Sequence, residues 1–307
     1  MAARTHRERP RGEALELRDG RWNVVVSPGR GGSLELCELD WLPVLSPAPR
    51  LERIGQPPAS CCYFPMIPFC NRIENSRFAF GGSIVRLPEN MAGERHAIHG
   101  HGWQRAWQVQ GADATRCRLS YRHEATPDWP WAYEAEQSFE ILGSSLRITL
   151  GIRNLAPAPM PCGLGFHPFL PAAEGASLAF RAAAVWDGSA GEFPRRRVAV
   201  PRDLDFSDGA PLAERLGIDH CFDGWERTAT LSFGQSRRSI VVEGCAATER
   251  LVVYVPADAD YFCVEPVTHA VNAINLPDPA AAGLWTLEPE GHREITMSIG
   301  VSSVPRT

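Results

Sequence analysis

The chain has 307 residues, 31 basic and 36 acidic side chains, a formal charge of -5 and 44% hydrophobic residues. That apolar content can fill a large core, and the mild acidic balance excludes a surface built for nucleic acid or an anionic membrane, so a neutral or mildly polar ligand is expected. Every basic residue is arginine; without lysine, a Schiff base or a lysine nucleophile is excluded.

Met1 to Gly12 is rich in arginine and lacks the apolar run of a secretory signal, and nowhere is there an apolar stretch long enough to span a membrane. Residues 1–12 are therefore expected to be a flexible segment of a cytoplasmic protein, with 13–307 as a single domain. Nine cysteines, an odd number with no Cys-x-x-Cys pair, read as reduced and mostly buried thiols.

Alternation of apolar and polar residues, the mark of half-buried strands, then recurs along the chain. It is clean in Ser33-Leu34-Glu35-Leu36-Cys37-Glu38-Leu39. Arg77 to Phe80 and Ser83 to Leu87 flank Gly81-Gly82, which predicts a hairpin. Cys117, Leu119 and Tyr121 keep the period of two, as do Tyr133 to Ile141 and Leu146 to Ile152. A second hairpin is predicted through Gly234-Gln235, joining Thr230–Phe233 to Ser239–Val242, and Trp285–Leu287 and Ile295–Ile299 close the chain as strands. Helical character is limited to short turns at Pro211–Arg215 and Pro279–Gly283. With 26 prolines, 27 glycines and no β-α-β rhythm, the expected fold is all-β: one large antiparallel β-sandwich with chemistry on its long loops.

Polar clusters fall where such a core would not choose them. Asn71-Arg72-Ile73 follows an apolar run, and a guanidinium fork suits a ligand with several hydroxyl oxygens. His96 to Trp107 holds three imidazoles, two glycines and two indoles; glycines admit a ligand close to the backbone, and Trp107 offers it a flat apolar face. His167 stands between aromatics in Gly165-Phe166-His167-Pro168-Phe169, where its proton affinity is set by burial and neighbours. Asp219 adjoins His220 after the short helical turn. Glu265 ends the apolar run Tyr261-Phe262-Cys263-Val264, and a buried carboxyl there is costly unless its charge or proton is used. On these residues alone two readings stand open: acid–base work on a ligand bearing several hydroxyls, or a cupin-like metal site made by His96, His99 and His101 with Glu265.

In this order Asn71-Arg72-Ile73, His99-Gly100, His167-Pro168, Asp219-His220-Cys221-Phe222 and Cys263-Val264-Glu265-Pro266-Val267-Thr268 resemble the aldose 1-epimerase (mutarotase) family over about residues 15 to 300. The resemblance implies a galactose mutarotase-like supersandwich and interconversion of the anomers of a free aldose, with no metal and no cofactor. It implies Glu265 as the base that takes the anomeric proton and His167 as the acid that protonates the ring oxygen, with the two side chains expected to face each other across a space about one sugar wide. It implies Arg72, His99 and Asp219 as groups holding the sugar; Asn71 and Trp107 are placed beside them as substrate contacts. His101, where the galactose enzymes have glycine, and His167-Pro168, where they have His-Ser-Tyr, depart from the family pattern and leave the sugar open. A non-catalytic sugar-binding module is one alternative. A sugar-phosphate enzyme is another, for which Arg72, Arg95 and Arg105 are the candidate phosphate ligands.

Overall fold

Period-two sequence becomes cross-strand register. The computed structural model describes residues 14–47, 61–188, 193–234 and 238–303. The segment 1–12 and residue 235 of the second predicted hairpin lie outside them. Among the described residues the only helices are three-residue 3-10 turns. Strands dominate, and 18 of them join one antiparallel sheet. A sheet of that size cannot stay flat, since each strand adds right-handed twist, and it curls into the all-β sandwich.

The predicted strand Ser33–Leu39 has those bounds. Tyr133–Leu142 pairs with Ser145–Asn154, which pairs in turn with His292–Ser303, and the register sets Phe139, Ile148 and Met297 side by side. All three are fully buried. Cross-strand partners share a face, so one line of apolar residues across three strands builds core, and each large side chain contributes roughly 1.5–3 kcal/mol. Arg77–Phe80 and Ser83–Arg86 form the predicted hairpin, with Gly81 (φ 58°) and Gly82 (φ 80°) supplying the positive angles of its tight turn. Thr230–Phe233 falls in Ile218–Phe233, which pairs with Arg238–Gly244.

The turn predicted at Pro211–Arg215 appears as a 3-10 turn over Leu212–Glu214. Pro279–Gly283 is not helical; it is a run of turns in which the Asp278 carboxylate accepts the Ala281 N–H. Five residues are too few to nucleate a helix, and the aspartate offers the backbone another partner. Polar groups in the core find partners across the sheet, as where Tyr63 donates to Gln137, whose amide donates to the Gly32 carbonyl. All nine cysteines are free thiols, and only Cys245 is less than fully buried.

Candidate active site

Register collects half of the site on one face. Gly165–Pro171 runs between Tyr63–Met66 and Tyr261–Val267, with His167 opposite Phe64 on one side. On the other, the pairs Gly165↔Val267 and Phe169↔Cys263 bracket His167 and Glu265 as partners. Arg250–Val255 follows next, with Val252 opposite Glu265 and Tyr254 opposite Cys263, and then Ile218–Phe233 brings Asp219 opposite Tyr254. Because alternate residues share a face, Phe64, His167, Phe169, Glu265, Tyr254 and Asp219 all project the same way.

The other half comes from a two-residue ladder, Arg72–Ile73 against Ala97–Ile98. It brings Asn71 and His99 together, both at positive φ (55° and 59°). His99 donates its backbone N–H to Asn71 O (3.0 Å), and Asn71 N–H donates to His99 Nδ1 (3.2 Å). With Nδ1 accepting, the ring proton belongs on Nε2, which leaves a neutral imidazole with one donor to spare. Gly100 (φ 68°) presses its backbone against Ile67, whose carbonyl accepts the N–H groups of His101 and Gly102.

Between these halves lies a cavity of about 190 Å³. Arg72, His99, Asn71, His167, Asp219 and Glu265 line it, joined by Trp103, Tyr254, Tyr261, Met91 and two phenylalanines. Trp107, expected as a sugar contact, does not: its indole donates to Gly102 O and packs on Tyr121, while Trp103 stacks on Phe64 with centroids 5.1 Å apart. The 3-10 turn Gly102–Gln104 decides this by turning the first indole inward.

The three imidazoles of the loop also diverge, which removes the metal reading based on them. His96 Nδ1 accepts from Asn75 N–H and its Nε2 from Arg95, whereas His101 Nε2 meets the Tyr133 hydroxyl at 3.0 Å. His101 and Arg105 line a separate cavity of about 500 Å³. Size does not make that the better site, since its carboxylates, Glu89, Glu124 and Asp128, are exposed and solvated.

His167 Nε2 and Glu265 Oε1 are 3.4 Å apart, and Glu265 is 2% exposed. Burial, reinforced by Asp219 and opposed by Arg72, holds the Glu265 carboxyl well above the usual carboxylate range. Burial pushes His167 down to about 3, and Phe64 stacks on its ring with centroids 4.3 Å apart. The pair therefore carries one proton around neutrality. Glu265 Oε2 is buried without a hydrogen-bond partner. Arg72 is committed on both sides, with Nε donating to Glu94 Oε2 (2.7 Å) and Nη1 to Asp219 Oδ2 (3.3 Å).

Burial of neutral imidazoles also sets an acid limit on stability. His269 accepts the Cys70 N–H at Nε2 and donates from Nδ1 to Ala270 O, and burial lowers it to about 4. Burial lowers His99 and His167 likewise. Below the ordinary histidine range the unfolded chain binds protons that the fold refuses, so stability falls as pH drops from 6.5 toward 4. His269 alone accounts for roughly 3 kcal/mol once pH is below its folded value. Glu265 acts in the opposite sense, because its folded form holds a proton that the unfolded form loses, but one carboxyl faces several imidazoles. Thermal melts are expected to show a clearly lower Tm at pH 4.5 than at pH 7; an unchanged Tm would mean that these rings carry a proton in the fold.

The comparisons with known proteins extend over the strands that build this face. The family model described as Aldose 1-epimerase matches residues 13–300. YphB of Escherichia coli K12 is 30% identical over 274 residues, 85% of this chain and 90% of that protein. A solved Escherichia coli K12 structure, provisionally called an aldose 1-epimerase, superposes with a TM-score of 0.83 at 26% identity, covering 95% of this chain and 99% of that one. A galactose 1-epimerase from Lactobacillus acidophilus shares the fold, with a TM-score of 0.70 at 18% identity over 95% and 94% of the two chains. With a match that runs through every strand carrying a cavity residue, the chain belongs to the aldose 1-epimerase family.

Proposed function

We propose that the protein interconverts the α and β anomers of a free monosaccharide by opening and reclosing its ring. The observation that carries this is the buried His167–Glu265 pair at the wall of a cavity the size of one sugar. Opening a hemiacetal takes a proton from the anomeric hydroxyl and gives one to the ring oxygen. A pair holding one proton supplies both needs and ends with the same count, so the return reaction uses it with the roles exchanged. Glu265 is assigned as the base and His167 as the donor to the ring oxygen; burial leaves the shared proton on Glu265 in the sugar-free protein, and its passage across the 3.4 Å contact to His167 readies the pair for ring opening. The unpartnered Glu265 Oε2 gives the carboxylate an open acceptor for a sugar hydroxyl. His99 offers its Nε2–H to a sugar oxygen, and Arg72 with Asp219 spans a hydroxyl pair from the exposed side. Residues 13–307 are taken as the single unit that performs this.

A sugar phosphate fits less well. Arg72 is already balanced by Glu94 and Asp219, and Arg95 and Arg105 point away from the cavity, so a dianion would meet carboxylates and no free cation. Polarimetry of freshly dissolved α-glucose and α-galactose with EDTA present tests the proposal, with faster approach to equilibrium expected for at least one sugar. No acceleration of any free aldose would leave a sugar-binding protein. Arg72→Ala and Asp219→Ala are expected to raise KM about tenfold, near 1.4 kcal/mol, with a smaller loss of kcat. Unchanged KM in both variants would remove these residues from sugar binding.

A further inference from the structure

Cys263 stands two residues before Glu265 and so on the same face of its strand, opposite Phe169 and diagonal to His167. Its thiol takes no part in the proton transfers above. Yet one ligand atom each from His167, Cys263 and Glu265 lies within 4.8 Å of the others, all three residues are buried, and this is the one such group of histidine, cysteine and acidic side chains among the described residues. A tetrahedral zinc site, with bonds of about 2.0–2.3 Å, needs its ligand atoms roughly 3.3–3.8 Å apart. The His167–Glu265 edge already measures 3.4 Å. The register holds all three residues on adjacent strands, and the edges to sulfur, at most 4.8 Å, exceed the tetrahedral spacing by no more than about 1 Å.

We propose that His167, Cys263 and Glu265 form an inhibitory binding site for a borderline-soft divalent cation of the Zn²⁺ type. The donor set is nitrogen, sulfur and oxygen, which selects zinc or cadmium over magnesium or calcium. On binding, the thiol loses its proton and the His167–Glu265 pair loses its single shared proton; both pass to solvent, and no electron is transferred. Thiolate, carboxylate and neutral imidazole then balance the two positive charges, so the buried unit is neutral. Three protein ligands leave the fourth position open to water from the cavity. Both proton-transfer groups are engaged, so the sugar finds neither base nor acid. Inhibition rests on the acid–base reading; cation binding does not.

The test uses the full chain free of any affinity tag, with Co²⁺ as spectroscopic probe and Zn²⁺ as inhibitor. One equivalent of Co²⁺ is expected to give a thiolate-to-cobalt absorption band in the near ultraviolet, which Zn²⁺ abolishes. Zn²⁺ is expected to suppress mutarotation and EDTA to restore it. Cys263→Ala, and Cys263→Ser as the variant that keeps the volume, are expected to lose the band and to need at least about tenfold more Zn²⁺ for half-inhibition. Their metal-free mutarotation stays near that of the unaltered chain. Cys245→Ala, which removes the one thiol that is not fully buried, keeps the band and the inhibition. Absence of the band at stoichiometric Co²⁺, or equal inhibition of both Cys263 variants and the unaltered chain, would overturn the site. Full mutarotation by zinc-loaded protein would overturn its inhibitory role. A cobalt band that depends on Cys263 in a protein with no mutarotation would uphold the site and sink the acid–base reading instead.

Discussion

Glu265→Gln and His167→Asn are each expected to lower kcat for mutarotation by about a hundred- to ten-thousandfold while changing sugar affinity little, because each proton moves only in the transition state. Glu265→Gln keeps size and His167→Asn keeps a polar, uncharged side chain in a smaller volume, so the sheet that carries them is expected to persist. The double variant is expected to be little worse than either single one: with half of a one-proton relay gone, the remaining half has nothing to exchange with. The proton count also shapes the pH profile. Rate is lost on the acid side as the pair takes a second proton, toward the value of about 3 to which burial lowers His167. On the alkaline side it is lost as the pair gives up its last proton, above the range of an ordinary carboxyl. Mutarotation by folded Glu265→Gln at the unaltered rate, measured by polarimetry, would refute the role given to that residue.

The second large effect is expected at a residue that touches no sugar. A Cβ on Gly100 would lie 2.0 Å from Ile67 O and 2.3 Å from its carbonyl carbon, on a backbone at φ 68°. Neither neighbour is a flexible chain end, since both belong to the peptide whose oxygen ties down His101 and Gly102. Gly100→Ala therefore has to move this crossing, at a cost of about 3 kcal/mol or more in stability. Its carbonyl accepts from the Trp103 indole and the Asn90 amide, so the displacement reaches His99 on one side and Trp103 on the other. A lower denaturation midpoint and a severalfold rise in KM are expected together. A variant of native stability would show that the loop has room that the contacts deny it.

Much of the fold was legible because a period of two is a direct image of a sheet with one face in the core. The Phe139, Ile148 and Met297 row could be anticipated strand by strand, but not which strands would be neighbours. That choice placed His167 beside Glu265, and it rests on pairing between distant segments. Parity could have added Tyr261, four residues before Glu265, and Phe169, two after His167, to the expected cavity. Trp103 and Trp107 could not be separated by pattern, since a three-residue turn between them sets which indole faces inward. A sugar-wide gap was expected between the two proton-transfer groups, and the structure has 3.4 Å. On the proposed mechanism the reason is chemical: the anomeric and ring oxygens are bonded to the same carbon, so the groups that serve them belong side by side.

If the His167–Glu265 pair performs the proposed reaction, the direct pairing of its two strands ties the appearance of activity to the completion of folding. Neither residue acquires its partner from local structure, and both wait for sequence-distant strands to close, the kind of contact that makes β-rich topologies slow to fold. Hairpins such as Arg77–Phe80 with Ser83–Arg86 can form early and contribute nothing to the relay. On the proposed mechanism, chains halted during synthesis or cut within the central strands are catalytically silent, and turnover counts only molecules whose longest-range contacts have been made.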